Sequence, residues 1–181
     1  RNRGFAFEWR LVESGYKGVT DAVIEHGRSV DLIIASQRDP DANVGIIIDE
    51  PERLAIESGR PVLFIPFAGT FPTIGKRVLV AWNGRRESAR ATFDALPLLK
   101  TAGKVRILWI NPQNEPERAG DLPTADIAAT LARHGVRCEA ASTVARDLDV
   151  ANTLLSAAAD DGVDLLVMGA YGHSRIREFV L

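Results

Sequence analysis

Gly169 and Gly172 stand three positions apart at the end of an apolar run, followed by His173, Ser174 and a helix-like segment that reaches Leu181. A strand that turns through Gly-x-x-Gly into a helix can hold phosphate. The glycines admit a close backbone approach, the free N–H groups of the first helical turn attract an anion, and Ser174 could both cap that helix and donate its hydroxyl. The same residues also read as a plain glycine-rich strand-to-helix turn, in which His173 covers the helix end rather than contacting phosphate. Arg85, Arg86 and Arg90 follow Asn83 and Gly84 at the start of another helical segment. Positive charge there opposes the helix dipole, so either an anion relieves it or the arginines are solvated and balanced by Glu87.

Other reactive side chains point to less. Trp82 and Trp109 end apolar runs and either stack on a base or fill the core, the commoner fate of such aromatics. Cys138, inside an alternating pattern, reads as a small buried side chain. His26 and His134 each precede a glycine at the end of a helical pattern, where a cation suits the dipole. Three scattered histidines and one cysteine offer no metal-ligand spacing. No nucleophile elbow, Walker lysine or recognisable pair of carboxylates is present, so catalysis beyond a slow ATP hydrolysis has no motif behind it.

The elements that must position these residues alternate regularly from residue 76 onward. VLVAW (78–82), VRILWI (105–110), VRCEAAST (136–143) and VDLLVMG (163–169) read as strands. Between them lie a helical pattern through Ala89, Phe93 and Leu96, then ADIAATLARHG after Thr124 as N-cap and Gly135 as stop, then DVANTLLSAAADDG closed by Gly162. Strands separated by helices mean parallel crossovers and a doubly wound α/β sheet.

The front of the chain repeats the back of this plan. SVDLIIAS (29–36) lies over GVDLLVMG (162–169), each preceded by a helical stretch, VTDAVIEHG in the first case. FAFEWRLVE (5–13) then corresponds to the strand VRCEAAST, PERLAIESG (51–59) is a short helix, and RPVLFIPF (60–67) is a last strand. This divides the chain into a first unit over residues 1–68, a linker over 69–76 rich in Gly, Thr and Pro, and a second unit over 77–181 that lacks its last strand. The only methionine is Met168 and residue 181 falls inside an apolar periodicity, so the chain reads as a fragment, with both units incomplete.

Composition narrows the partners. At 181 residues and 46% hydrophobic, with 22 basic against 24 acidic side chains, the chain can bury a core and has no basic field for nucleic acid. No apolar run approaches the roughly 20 residues of a membrane span, and one cysteine fits a reducing compartment, so the cytoplasm is the expected location.

The stretches VLVAWNGRRESARATFDALPLL, GVDLLVMGAYGHSRIREFVL and SGRPVLFIPF resemble tandem universal stress proteins of the UspA type. The resemblance implies five-stranded α/β units of strand order 3-2-1-4-5, often paired through their last strands, with ATP or another adenine nucleotide at the switch point in many members. By that scheme the first unit retains strands three to five and the second strands one to four. Gly169 and Gly172 match the start of the family's phosphate motif, whose second half would fall past Leu181. Asn83 stands where the family has a nucleotide-contacting Asp. Ala81 and Ile110 would line the adenine slot with Met168 beside it. In the first unit Ser36 and Asp39 replace the two glycines, and a carboxylate there repels phosphate, so that half-site reads as dead.

The expectation is a stress-response regulatory or binding module with at most one adenine-nucleotide site, formed by Ala81, Asn83, Ile110, Met168, Gly169, Gly172, His173 and Ser174. It is expected to form a homodimer or pair its units through their last strands, without metal, membrane or nucleic acid. The alternatives are a stress protein that works through dimerisation and partner contacts without nucleotide, and a nucleotide hydrolase or phosphotransferase on the same scaffold.

Overall fold

The computed structural model describes residues 6–12, 18–37, 51–114, 124–145 and 149–170. The chain divides into two compact units, Arg1–Ile65 and Pro66–Leu181.

In the first unit, helix α1 (Val19–Gly27) presents Thr20, Ile24 and Gly27 inward at helical spacing, with Asp21 in its first turn and His26 in its last, as the helix dipole favours. Strand β1 (Ile33–Ser36), helix α2 (Pro51–Glu57) and strand β2 (Val62–Ile65) follow. The two strands pair in parallel, Ile33 opposite Val62 and Ala35 opposite Phe64. Ile24 of α1 and Leu54 of α2 meet Ala35 of β1, with Val62 and Phe64 packed around them. Both helices therefore cover the same face of this two-stranded sheet, and Ile34, which points the other way, is 66% exposed.

FAFEWRLVE was expected to be a strand of this unit, and that expectation is corrected: its described part, residues 6–12, pairs with no described residue and has no strand assignment. The physical reason is the absence of a ladder. A strand needs a neighbour for its backbone groups, and among the described residues the sheet of this unit contains only β1 and β2.

The second unit is built on a four-stranded parallel sheet of order β5-β4-β3-β6. Its elements are β3 (Arg77–Ala81), α3 (Arg86–Asp94), the short α4 (Leu96–Leu99), β4 (Lys104–Ile110), a 3-10 turn at Pro112–Asn114, α5 (Ala125–Arg133), β5 (Cys138–Thr143), α6 (Val150–Asp160) and β6 (Leu165–Val167). This is the expected order 3-2-1-4. Gly135 and Gly162 take left-handed conformations, φ 84° and 59°, just past α5 and α6, where a side chain would be strained. Asp149 caps α6 by accepting a hydrogen bond from Asn152 N at 2.8 Å.

Alternation along the strands gives the sheet two apolar faces. Leu154 of α6 packs on Leu79 and Leu108. On the other face, Cys138 Sγ lies 3.7 Å from the Ala128 carbonyl of α5, and the Phe93 ring of α3 meets His134 at the end of α5, centroids 6.1 Å apart. Helices thus cover both faces, the doubly wound arrangement that near-continuous apolar strands require.

Candidate functional site at the carboxyl ends of β3 and β6

From β3 the chain steps outward through β4 to β5, then returns to the far side of β3 as β6. The order reverses between β3 and β6, and open parallel sheets bind ligands outside the carboxyl ends of strands at such a point. Val80 pairs with Val167, so Ala81 and Met168 follow at neighbouring strand ends. Leu79 and Val80 are 0% exposed and Leu108 1%. Ala81, Ile110 and Met168, at the ends of the same strands, are only half-buried. Ala81 and Ile110 lie on the α6 side, against the cluster of Leu79, Leu108 and Leu154.

The turn that leaves β3 is set by Asn83, whose Oδ1 accepts a hydrogen bond from Arg85 N at 3.0 Å, and by Gly84 at φ 67°. The side chain mimics a backbone turn, and α3 starts three residues later at Arg86. Its Oδ1 therefore serves the turn, while its Nδ2 group can offer donors to a ligand. Helix α3 turns Ser88 and Thr92 inward, 4% and 0% exposed. Their hydroxyls donate within the helix, Ser88 Oγ to Arg85 O at 2.9 Å and Thr92 Oγ1 to Ser88 O at 2.7 Å, so these small polar residues are buried at low cost.

That close packing brings the first turn of α3 against the end of β6. A Cβ placed on Gly169 would lie 2.6 Å from the Glu87 carbonyl carbon and 2.8 Å from both Glu87 Cβ and O. No side chain fits there. Glycine is required at 169 for helix-to-strand contact, and the space its missing side chain leaves is filled by Glu87. The Glu87 side chain is 16% exposed and bonded to Arg86 Nε at 2.6 Å. That hydrogen bond holds its carboxyl below the usual range. Arg90 likewise pairs with Asp94 at 2.6 Å. The arginines that the sequence leaves open to an anion are thus supplied, at 86 and 90, with carboxylates of their own helix.

These positions test the fit of a nucleotide. The base and ribose end fits: half-buried apolar side chains sit at three strand ends, with the Asn83 amide in the adjoining turn. At Gly169 the position of a side chain is taken by Glu87, so the glycine is accounted for by helix packing without a phosphate. Gly172, His173 and Ser174 lie outside the described residues, as does Asp39 in the first unit; Ser36 is the exposed last residue of β1.

Trp109 is 2% exposed and belongs to the core, whereas Trp82 is half-buried, its backbone N–H donating to Leu108 O at 2.9 Å. Burial pushes the Cys138 thiol up, which suits a packing role and not a nucleophile. His26 and His134 lie at the ends of α1 and α5, as the dipole argument expects. Among the described residues no three His, Cys, Asp or Glu side chains gather closely enough to hold a metal ion. Nor is any described helix long and apolar enough to cross a membrane. A cleft of about 450 Å³ between Lys76, Arg77, Gly103, Lys104, Asp160 and Asp161 lies at the opposite, amino-terminal edge of the sheet, lined by charges of both signs.

Sequence reasoning passed over Asn111. At φ 56° it is the one non-glycine described residue in the left-handed region. Its N–H donates to Thr143 O at 2.8 Å, and its Oδ1 accepts from Ala145 N at 2.7 Å. It thereby clamps the exits of β4 and β5 at the rim of the site. The signal was the Asn-Pro pair directly after an apolar strand, since Asn tolerates this conformation better than other side chains.

No family model matches the chain, and no curated protein matches it either. Solved structures similar to it include a protein from the universal stress protein family of Burkholderia pseudomallei, at 24% identity and TM-score 0.47, covering 58% of this chain and 86% of that one. They also include protein Rv1636 from Mycobacterium tuberculosis H37Rv, at 24% identity and TM-score 0.44, covering 56% of this chain and 76% of that one.

Proposed function

We propose that the chain is a stress-response binding module of the universal stress protein type, and that its second unit takes an adenine nucleotide at the switch point between β3 and β6. The observation that carries this reading is the set of half-buried apolar side chains Ala81, Ile110 and Met168 at the ends of three adjacent strands, beside the Asn83 turn. A purine ring suits such a surface, and an amide donor suits a ribose hydroxyl. Phosphate contacts then fall to Gly172, His173 and Ser174, with Gly169 held by helix packing. Calorimetric titration of ATP and AMP tests the reading. Heat with micromolar affinity that Gly172→Asp abolishes supports it, and no heat at millimolar nucleotide rejects it.

A second reading, a stress protein working through partner contacts without nucleotide, is favoured by one observation. Glu87 places a carboxylate-bearing turn where the family motif would bring phosphate close. The same titration separates the two. Turnover has no support from any described constellation of nucleophile and base.

A further inference from the structure

Asn83 and Gly84 form the only Asn-Gly pair of the chain, and every other asparagine is followed by a residue that carries a side chain. Such a pair can lose the asparagine amide without a catalyst. The backbone nitrogen that follows reaches the side-chain carbonyl carbon, and glycine has no Cβ to obstruct the attack. The turn leaves this reaction open. Gly84 is exposed, with φ at 67°, and among the described residues nothing accepts its N–H, so the proton is free to leave to water. Asn83 Oδ1 meanwhile accepts from Arg85 N at 3.0 Å, which draws electrons from Cγ and makes it the better electrophile. Asn111 and Asn152 lack the attacking group. Asn111 precedes Pro112, which has no N–H, and Asn152 precedes Thr153, whose N–H donates to Asp149 O at 3.0 Å.

We propose that Asn83 is a self-modification site, at which the folded chain converts the side-chain amide into a carboxylate. Gly84 N gives its proton to hydroxide and attacks Asn83 Cγ; the bond from Cγ to Nδ2 breaks, and ammonia leaves. Water then reopens the cyclic imide at Cγ, the carbonyl that Arg85 N–H polarises, and returns a proton to Gly84 N. Water is consumed and ammonia released, with no change of oxidation state. The product suits its surroundings. Arg85, at the N-cap of α3, supplies no side-chain acceptor to the first turn, so a negative charge at 83 faces the positive end of the helix dipole and keeps the bond from Arg85 N. The exchange also alters the ribose end of the proposed site, where an amide that offers donors becomes a carboxylate that only accepts. This consequence rests on the nucleotide reading: the aged chain binds AMP about three- to tenfold more tightly than the fresh one.

Incubation of the freshly purified chain under native conditions, at neutral and at mildly alkaline pH, tests this. Peptide mass spectrometry with electron-transfer fragmentation reads the result, since it separates aspartate from isoaspartate. The mass gain of an amide-to-acid exchange is expected at Asn83, as aspartate and faster at the higher pH, with Asn111 and Asn152 unchanged. Gly84→Ala is expected to lose the gain over the same period. Because alanine is strained at this φ, Asn83→Gln serves as a second variant: its longer side chain closes an imide far less readily, so it is expected to show no gain at 83 and a constant AMP affinity. No gain at Asn83 in the folded chain, an equal gain at Asn111 or Asn152, a gain undiminished in Gly84→Ala, or a product that is isoaspartate alone overturns the proposal. A gain at Asn83 as aspartate without a rise in AMP affinity upholds the modification and counts against the nucleotide reading alone.

Discussion

Asp164 and Arg77 hold each other at the start of two neighbouring strands: Arg77 N donates to Asp164 Oδ1 at 2.8 Å, and Asp164 N donates to Arg77 O at 3.0 Å. The other carboxylate oxygen accepts from Lys76 N at 3.1 Å and Thr73 Oγ1 at 3.2 Å. One side chain thus ties the chain entering β3 to the strand beside it. Asp164→Ala is expected to cost about 1–2 kcal/mol of stability, since water can replace only part of this set. Urea denaturation of the two proteins measures it.

The same carboxylate makes stability depend on acid. Burial pushes the Asp164 carboxyl up, but the hydrogen bonds from Arg77, Lys76, Thr73 and Gly75 together outweigh it and hold the group below its ordinary value. A depressed folded value means the stabilisation is complete above the unfolded value of about 4 and is lost as pH falls through the folded one. The urea midpoint of wild type should therefore drop below about pH 4 by more than that of Asp164→Asn, and equal slopes would refute the assignment.

Gly169 offers a test of packing against ligand approach. With Glu87 atoms 2.6–2.8 Å from where a Cβ would stand, Gly169→Ala must displace the first turn of α3. A loss of about 1–3 kcal/mol is expected in thermal or urea unfolding without any nucleotide present. If stability is unchanged and only nucleotide affinity falls, the glycine serves the ligand instead.

At Asn111 the left-handed backbone and the side-chain bond to Ala145 can be separated. Asn111→Gly keeps the backbone conformation and loses the bond, for about 0.5–1.5 kcal/mol. Asn111→Ala loses both and is expected to cost about 1 kcal/mol more. The order is the reverse of that at an ordinary strand position, so a milder alanine variant in equilibrium denaturation would show that the conformation is not required.

Asn83→Asp tests the ribose end of the proposed site. The carboxylate can still accept Arg85 N–H while taking a ribose hydroxyl as donor, so AMP affinity in calorimetry should rise about three- to tenfold. Unchanged or weaker binding would separate Asn83 from the ligand.

Much of this molecule is legible from periodicity and turn chemistry. Helix α1 over Val19–Gly27, the stops at Gly135 and Gly162, and the strands within VRILWI and VDLLVMG follow from apolar spacing and from glycine's tolerance of left-handed backbone, which are local properties. FAFEWRLVE misled for the complementary reason. Its alternation is a true strand pattern, but a strand exists only with a neighbour, and no local pattern states whether that neighbour is present.

The amino-acid order alone determines the α/β plan and the alternation of strand and helix, because each is a matter of residue type and spacing. Tertiary packing decided the rest. It placed Glu87 against Gly169, gave Asp164 its partners from residues 73 to 77, and turned Asn111 into a clamp. Those contacts join residues far apart in the chain, and their meaning depends on which atoms fill the space beside them.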